Sequence, residues 1–340
     1  VPWHGLGEVL KKHPKSIDEA LKKSGLDWDI IQRPIYVELP GAEGGEVSMV
    51  EDGAGDPKFL ANMRSDTGDV LGIVTDRYTP VQNREAFSFL ANLFGTEMLF
   101  ETAGSLMEGR RVWVMMKLPD YVEVGGDPIG QYAFISNSHD GKSSVLCSLT
   151  PIRIVCMNTL GAAIRLAKGK NATRSYTIRH LGNMSNKIAE ARNVLEVTIN
   201  YYEQFKEVGD RLALAPMSEQ RAKNILGELF PIDDSMKERA ARNKEEAREA
   251  VMSLFLTGQG PVQRVSQGDT RPQNALGTAW AFYNACTEYA DYGREERKVG
   301  GTFQRAIDDP DGLKTAAWNL TLDTVGEKKG TKNKSLVGAI

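Results

Sequence analysis

The sequence predicts an α+β fold: a curved antiparallel β-meander with flanking helices, followed by a mostly helical C-terminal half. Three observations predict it. Residues 99–156 alternate apolar and polar side chains and are punctuated by glycine and Asp-Gly turns, the pattern of strands joined by tight hairpins. From about Asn183 the apolar spacing changes to threes and fours, the pattern of amphipathic helices. A length of 340 residues is more than one typical core needs, so one large or two modest domains are expected. The division read from the sequence is residues 1–60 as an N-terminal arm with a short helix and strand, 61–182 as an α+β core, and 183–340 as a helical region.

Taken in order, Ser16-x-x-Glu19 is a capping box before a short helix through Leu21, with Gly25 as its stop. Arg33 to Leu39 reads as a strand, and the glycine- and acid-rich segment from Gly41 to Gly55 as loop and hairpin turns. Val70–Val74 and Tyr78–Val81 are strand-like. Asn83–Phe94 is a helix with Phe87, Leu90 and Phe94 on one face. In the meander, Val112, Val114, Met116 and Leu118 share one face, while Trp113 and Met115 share the other with Arg111 and Lys117. A turn near Gly109 precedes that strand. Gln131–Ser136 and Ser144–Thr150 form a second pair around the turn residues Asn137 to Gly141. Pro151–Cys156 leads into a helix from about Asn158 to Ala167. Helices follow over Met184–Phe205, Ser218–Phe230 and Ser235–Phe255, the last with a capping box at Ser235-x-x-Glu238. Gly258–Arg271 is a polar linker, Asn274–Tyr289 an aromatic helix, and the lysine-rich tail after Glu327 is expected to be mobile.

Composition narrows the function classes. The chain is 41% apolar and 26% charged, as in globular proteins, and its formal charge of −3 gives no global basic excess. No apolar run reaches the roughly 18 residues of a membrane span, and no signal peptide is recognisable at Val1-Pro2-Trp3-His4-Gly5. Cys147, Cys156 and Cys286 are odd in number and lack CxxC spacing, which points to a reducing compartment and away from a zinc site or disulfide scaffold. A cytoplasmic location is expected, with no membrane partner.

Charge is unevenly distributed. Between Gly141 and Glu190 lie eight basic residues, Lys142, Arg153, Arg165, Lys168, Lys170, Arg174, Arg179 and Lys187, against the single acid Glu190. A window near +7 in a chain of −3 suits a phosphate backbone, whose counterions are released as charges pair. It equally suits an acidic face elsewhere or across a subunit contact. Tyr176 is the aromatic inside the window that can stack on a base.

Catalytic groupings are sparse. No glycine run is followed by GKS or GKT, so a phosphate loop is not expected. His139-Asp140-Gly141 is turn chemistry rather than a metal pair, because spaced partner histidines are missing. Cys156 is a conceivable nucleophile with His139 or His180, against the commoner reading of a buried thiol. Asp233-Asp234 and Asp308-Asp309 read as solvated acids or caps. The small-and-large run from Gly277 to Ala285 reads as helix packing, and Trp3 as an anchor for the N-terminal arm. No catalytic residue, metal or cofactor is assigned.

Several ordered segments carry a resemblance. PWHGLG at the start, YTPVQN (Tyr78–Asn83), FETAGSLMEGRRVWV (Phe100–Val114) and SNSHDGKSSV (Ser136–Val145) are followed by LTPIRIVCMNTL (Leu149–Leu160), IRHLGN (Ile178–Asn183) and GTAWAFYNACTEYADY (Gly277–Tyr292). Together they resemble, nearly end to end, the phage/plasmid-like family built on a domain of unknown function. Tyr292 departs from that family, which favours histidine there. More distantly, a helix, an antiparallel meander with a glycine-turned hairpin and a basic helix are similar to the core of ring-forming single-strand annealing proteins of the Red-beta type. That likeness implies a nucleotide-independent protein that holds single-stranded DNA in a basic groove of a homo-oligomeric ring or filament and anneals complementary strands in recombination, in the bacterial host cytoplasm. Lys142, Arg153, Arg165, Lys168, Lys170, Arg174 and Arg179 would hold phosphates, Arg110, Arg111 and Lys117 would extend the groove, and Tyr176 would stack. Two other classes stand beside it: a phage protein that binds a host factor through the helical half and the Trp280 face, and a nucleic-acid-processing enzyme centred on His139, Asp140 and Cys156.

Overall fold

The computed structural model describes residues 7–10, 13–14, 16–38, 47–94, 99–153, 175–182, 201–257, 277–294 and 312–326. The architecture is mixed α+β with antiparallel sheets, and the helices fall mostly in the C-terminal half. The largest sheet has the order β1 (Glu8–Val9), β7 (Leu99–Leu106), β8 (Arg111–Val124), β9 (Asp127–Ser138), β10 (Val145–Arg153) and β11 (Ser175–Ile178). Its last five strands follow one another in sequence, so this is the expected meander. A second sheet joins β2 (Ile30–Pro34), β5 (Phe59–Arg64) and β6 (Val70–Thr75), and β3 (Tyr36–Glu38) pairs with β4 (Val47–Met49). The chain divides into two compact units that interleave along the sequence. One takes Val1–Pro119, Tyr132–Leu149 and Ser175–Val197; the other takes Asp120–Gln131, Thr150–Arg174 and Thr198–Ile340.

In the first unit, α1 (Ile17–Lys23) begins where Ser16 Oγ accepts the Glu19 N–H at 3.2 Å. It ends in a Schellman turn, with Leu26 N–H donating to Leu21 O and Gly25 N–H to Lys22 O. Helix α2 (Asn83–Phe94) has the expected bounds and buries Ala86, Phe87 and Phe89. The single strand expected over Arg33–Leu39 is instead two strands in different sheets. Pro34, which has no N–H to donate, ends β2, and the chain enters the β3–β4 pair at Tyr36. Tyr78–Val81 is not a strand; it contributes one bridge, from Tyr78 to Leu181. Along β8, Val112 through Met116 are all buried, so both faces of the sheet are covered there, and Arg111 and Lys117 bracket the covered stretch. Gly7 of the N-terminal arm lies against the Trp113 ring, while Trp3 lies outside the described residues.

The strands β8 and β9 continue further than their apolar alternation suggests. They meet at Gly125-Gly126, both with positive φ (54° and 86°), as a two-residue hairpin of right-handed twist requires. This hairpin end belongs to the second unit. There Gly125 N–H donates to Asp210 Oδ1 at 3.1 Å, and Val124 packs on Gly209 of α3 (Tyr201–Leu214). Helix α4 (Glu219–Leu229) starts at the Ser218 cap, and α6 (Ala279–Tyr292) at the Thr278 cap rather than at Asn274. Helix α5 (Glu238–Thr257) does not begin with the expected capping box. Ser235 donates its N–H and hydroxyl to Asp233 Oδ1, which closes a turn, and the helix starts at Glu238. Helix α6 packs on α3, α5 and α7 (Leu313–Leu322). Trp280, Tyr283, Phe205 and Trp318 form the aromatic centre, and Trp280 Nε1 donates to Asp127 Oδ2 at 3.2 Å. Beside them, Lys314 and Asp291 form an ion pair in which both side chains are 1% exposed.

The helices expected over 158–167 and 184–200, the linker and the lysine-rich tail lie outside the described residues. Among the described residues, no helix is long and apolar enough to cross a membrane.

Candidate functional site

Within the first unit, three segments that stand out in the sequence come together: Tyr78–Asn83, Asn137–Gly141 and Ile178–Leu181. The link is made mostly by polar side chains reaching backbone groups. Tyr78 Oη donates to Ser138 O at 2.7 Å, and Asn137 Nδ2 donates to Val81 O at 2.7 Å. Thr79 N–H donates to His180 O at 2.9 Å, and His180 Nδ1–H returns a bond to Thr79 O at 3.1 Å. The Tyr78 and His180 rings stack with centroids 4.6 Å apart. Burial, and secondarily the negative charge of Asp140, raise the Tyr78 phenol well above its ordinary range, so it acts as a neutral donor.

His139 is the centre of the cluster, fully buried. Its N–H donates to Arg110 O at 2.7 Å and its carbonyl accepts from Asn62 Nδ2 at 2.8 Å. Its Nε2 lies 3.0 Å from Asn83 Oδ1. Because Asn83 Nδ2 already donates to Leu26 O and Trp28 O, Asn83 Oδ1 is the acceptor and His139 Nε2 carries the proton. Nδ1 is therefore a bare lone pair, buried and without a hydrogen-bond partner among the described residues, as is Asn137 Oδ1. Burial, and to a lesser degree the nearby His180, push the His139 pKa down to about 3, so the imidazole is neutral at physiological pH. Asp140 does not form a dyad with it. Its Oδ1 instead accepts from Ser138 Oγ and from Lys142 N–H, which is the turn chemistry the sequence implies. The turn seats on β6 at Gly72, where a Cβ would lie 2.6 Å from Asp140 Cα; only a residue without a side chain fits.

The cluster carries a basic rim. The β7–β8 register places Leu106 opposite Arg111, and β10–β11 places Val145 opposite Ile178. The 107–110 turn, the 139–144 turn and Arg179 therefore share one end of the sheet. Arg110, Lys142 and Arg179 are exposed there, and half-buried Arg111 donates from Nε to Ser136 Oγ at 2.9 Å. Lys117 does not join them: six residues along β8 at ~3.3 Å each is roughly 20 Å away. Arg153 ends β10, and Tyr176 on β11 is opposite Cys147. Arg165, Lys168, Lys170 and Arg174 lie outside the described residues, as does Cys156.

The turn itself is strained. Met107, Glu108 and Gly109 have φ of 52°, 61° and 103°, and two of them are not glycine. Arg64 holds this conformation, donating from Nη1 to Glu108 O at 3.2 Å. Its guanidinium lies 4.5 Å above the Trp28 ring and pairs with Asp66. Sequence reasoning missed Trp28, Asn62, Arg64 and Asn83. Nothing local marks the first three, whereas Asn83 closes the YTPVQN segment and opens α2, positions that mark it without naming its partners.

Trp280 is buried and bonded to Asp127, so the face expected to offer it to a host factor is instead interior. Cys147 and Cys286 are buried free thiols, and burial raises both pKa values. Among the described residues no group of three or more His, Cys, Asp or Glu side chains is arranged to hold a metal ion.

The fold and site define a mixed α+β protein in which a buried histidine–asparagine–tyrosine network fixes a basic sheet end. The chain belongs to the DUF932 family, a domain of unknown function matched over residues 70–311. No curated protein and no solved structure matches it.

Proposed function

We propose that this is a phage-encoded protein that binds single-stranded DNA and anneals complementary strands during recombination, acting as a homo-oligomer in the bacterial cytoplasm without nucleotide. The observation that carries the reading is the charge window between Gly141 and Glu190, near +7 in a chain of −3. The basic sheet end supports it: Arg110, Arg111, Lys142 and Arg179 stand over a hydrogen-bonded frame that resists rearrangement when phosphates approach. Binding by such a rim is electrostatic and releases counterions, so it weakens steeply with salt. Annealing then needs no bond chemistry, only two strands held with their bases accessible.

The test mixes the protein with two labelled complementary DNA oligomers, without nucleotide, and follows pairing by energy transfer across a salt series. Pairing well above the spontaneous rate is expected. Replacing Arg110, Arg111 and Lys142 together by Ala should lower the slope of log affinity against log salt by up to about 2, at ~0.7 per phosphate on a single strand. Absence of both acceleration and salt-sensitive binding would reject the reading.

A further inference from the structure

Resting on the single-strand reading above, we propose that the Met107–Glu108 tip is the base-contacting element of this site, with Met107 inserting its thioether between neighbouring bases of the bound strand. Four observations converge on the tip. Met107 is a large apolar side chain 45% exposed at the basic end of the sheet. It is held out by a backbone that costs energy to form, with positive φ at both Met107 and Glu108. The tip is clamped from below: Arg110 N–H donates to Met107 O at 3.2 Å, Arg64 holds Glu108 O, and Arg64 lies over Trp28. It is also contiguous with the cations, since Arg110 O accepts the His139 N–H, which leads through Asp140 to Lys142.

Charge orients the ligand. Phosphates are drawn to Arg110, Arg111 and Lys142 and repelled by the exposed Glu108 carboxylate. A single strand therefore lies with its backbone over the arginines and its bases toward the tip. A duplex presents phosphates on its outside and shields its bases, so it cannot satisfy both ends of this arrangement. An unbranched, polarizable thioether suits such a contact, because it adapts to any base face, and apolar wedges of this kind separate stacked bases.

The test uses an adenine-flanked 2-aminopurine in a single-stranded oligomer, whose fluorescence is quenched by stacking. Wild-type protein should raise the fluorescence several-fold on binding. Met107→Ala should abolish most of that rise while keeping the salt slope of binding, and Met107→Leu should retain it. An undiminished rise in Met107→Ala would overturn the inference, as would salt-sensitive binding by wild type with no rise. If no salt-sensitive binding of the strand occurs at all, the single-strand reading falls, and the inference with it.

Discussion

His139 shows how much one buried side chain can bind together. Its backbone joins Arg110, in the turn before β8, to Asn62 of another sheet, while its ring reaches Asn83 at the start of α2. The cost is a bare Nδ1 in a site that disfavours a positive charge. The folded pKa of about 3 lies below the ordinary 6.5, so the unfolded chain binds the additional proton between those values. The His139 contribution to stability is therefore complete above pH 6.5 and is lost as pH falls toward 3. His139→Gln, which keeps a donor for Asn83 but cannot titrate, should flatten this acid limb in denaturant titrations at pH 4 relative to pH 7. An equal loss of stability in both proteins over that interval would show that other groups govern it.

At the scale of the element, the β7–β8 hairpin is the part in which local preference and tertiary demand conflict. Its four-residue turn, 107–110, puts Met107 and Glu108 in the left-handed region, where each non-glycine residue costs on the order of 1 kcal/mol or more. Glu108→Gly is expected to raise stability by about 1 kcal/mol, read as a higher denaturant midpoint with an unchanged slope. A fall in midpoint would mean that the Glu108 side chain contributes more than its backbone costs. By contrast, α1 and α2 have no such conflict. The Ser16 cap of α1 forms where its spacing announces it, and the bounds of α2 agree with the residues that announce it.

At the scale of the whole molecule, both units have buried apolar cores and differ in the polar contacts set within them. The first joins strands and turns through polar side chains that bond to backbone groups. The second packs large aromatic rings around a fully buried Lys314–Asp291 pair. Removing one partner leaves a charge in a site from which water is excluded, so Lys314→Ala should cost roughly 3–5 kcal/mol, measured by thermal or denaturant unfolding. Replacing both by apolar residues, Lys314→Met with Asp291→Leu, should restore most of that loss. If the single variant matches wild type, the pair is not stabilising the helical unit.

The sequence by itself determined the fold class, the meander, the cap of α1 and the spans of α2 and α4, because each depends on neighbours a few residues away. It also located the basic window, since charge is countable without coordinates. It misplaced what depends on distant partners. Ser235 has the spacing of a capping box, yet Asp233 takes its donors and the helix starts later. Arg33–Leu39 alternates like one strand, yet Pro34 divides it between two sheets. The apolar alternation gave no reason to extend β8 and β9 to Gly125-Gly126. Trp280 is interior, as the packing reading of Gly277–Ala285 expects, but its partner Asp127, more than a hundred residues earlier, is not legible from that run. Only the tertiary structure decided that Tyr78, Asn83, Asn137, His139 and His180 form one network. Their hydrogen bonds span 56 to 101 residues, and no local pattern encodes a partner that far along the chain.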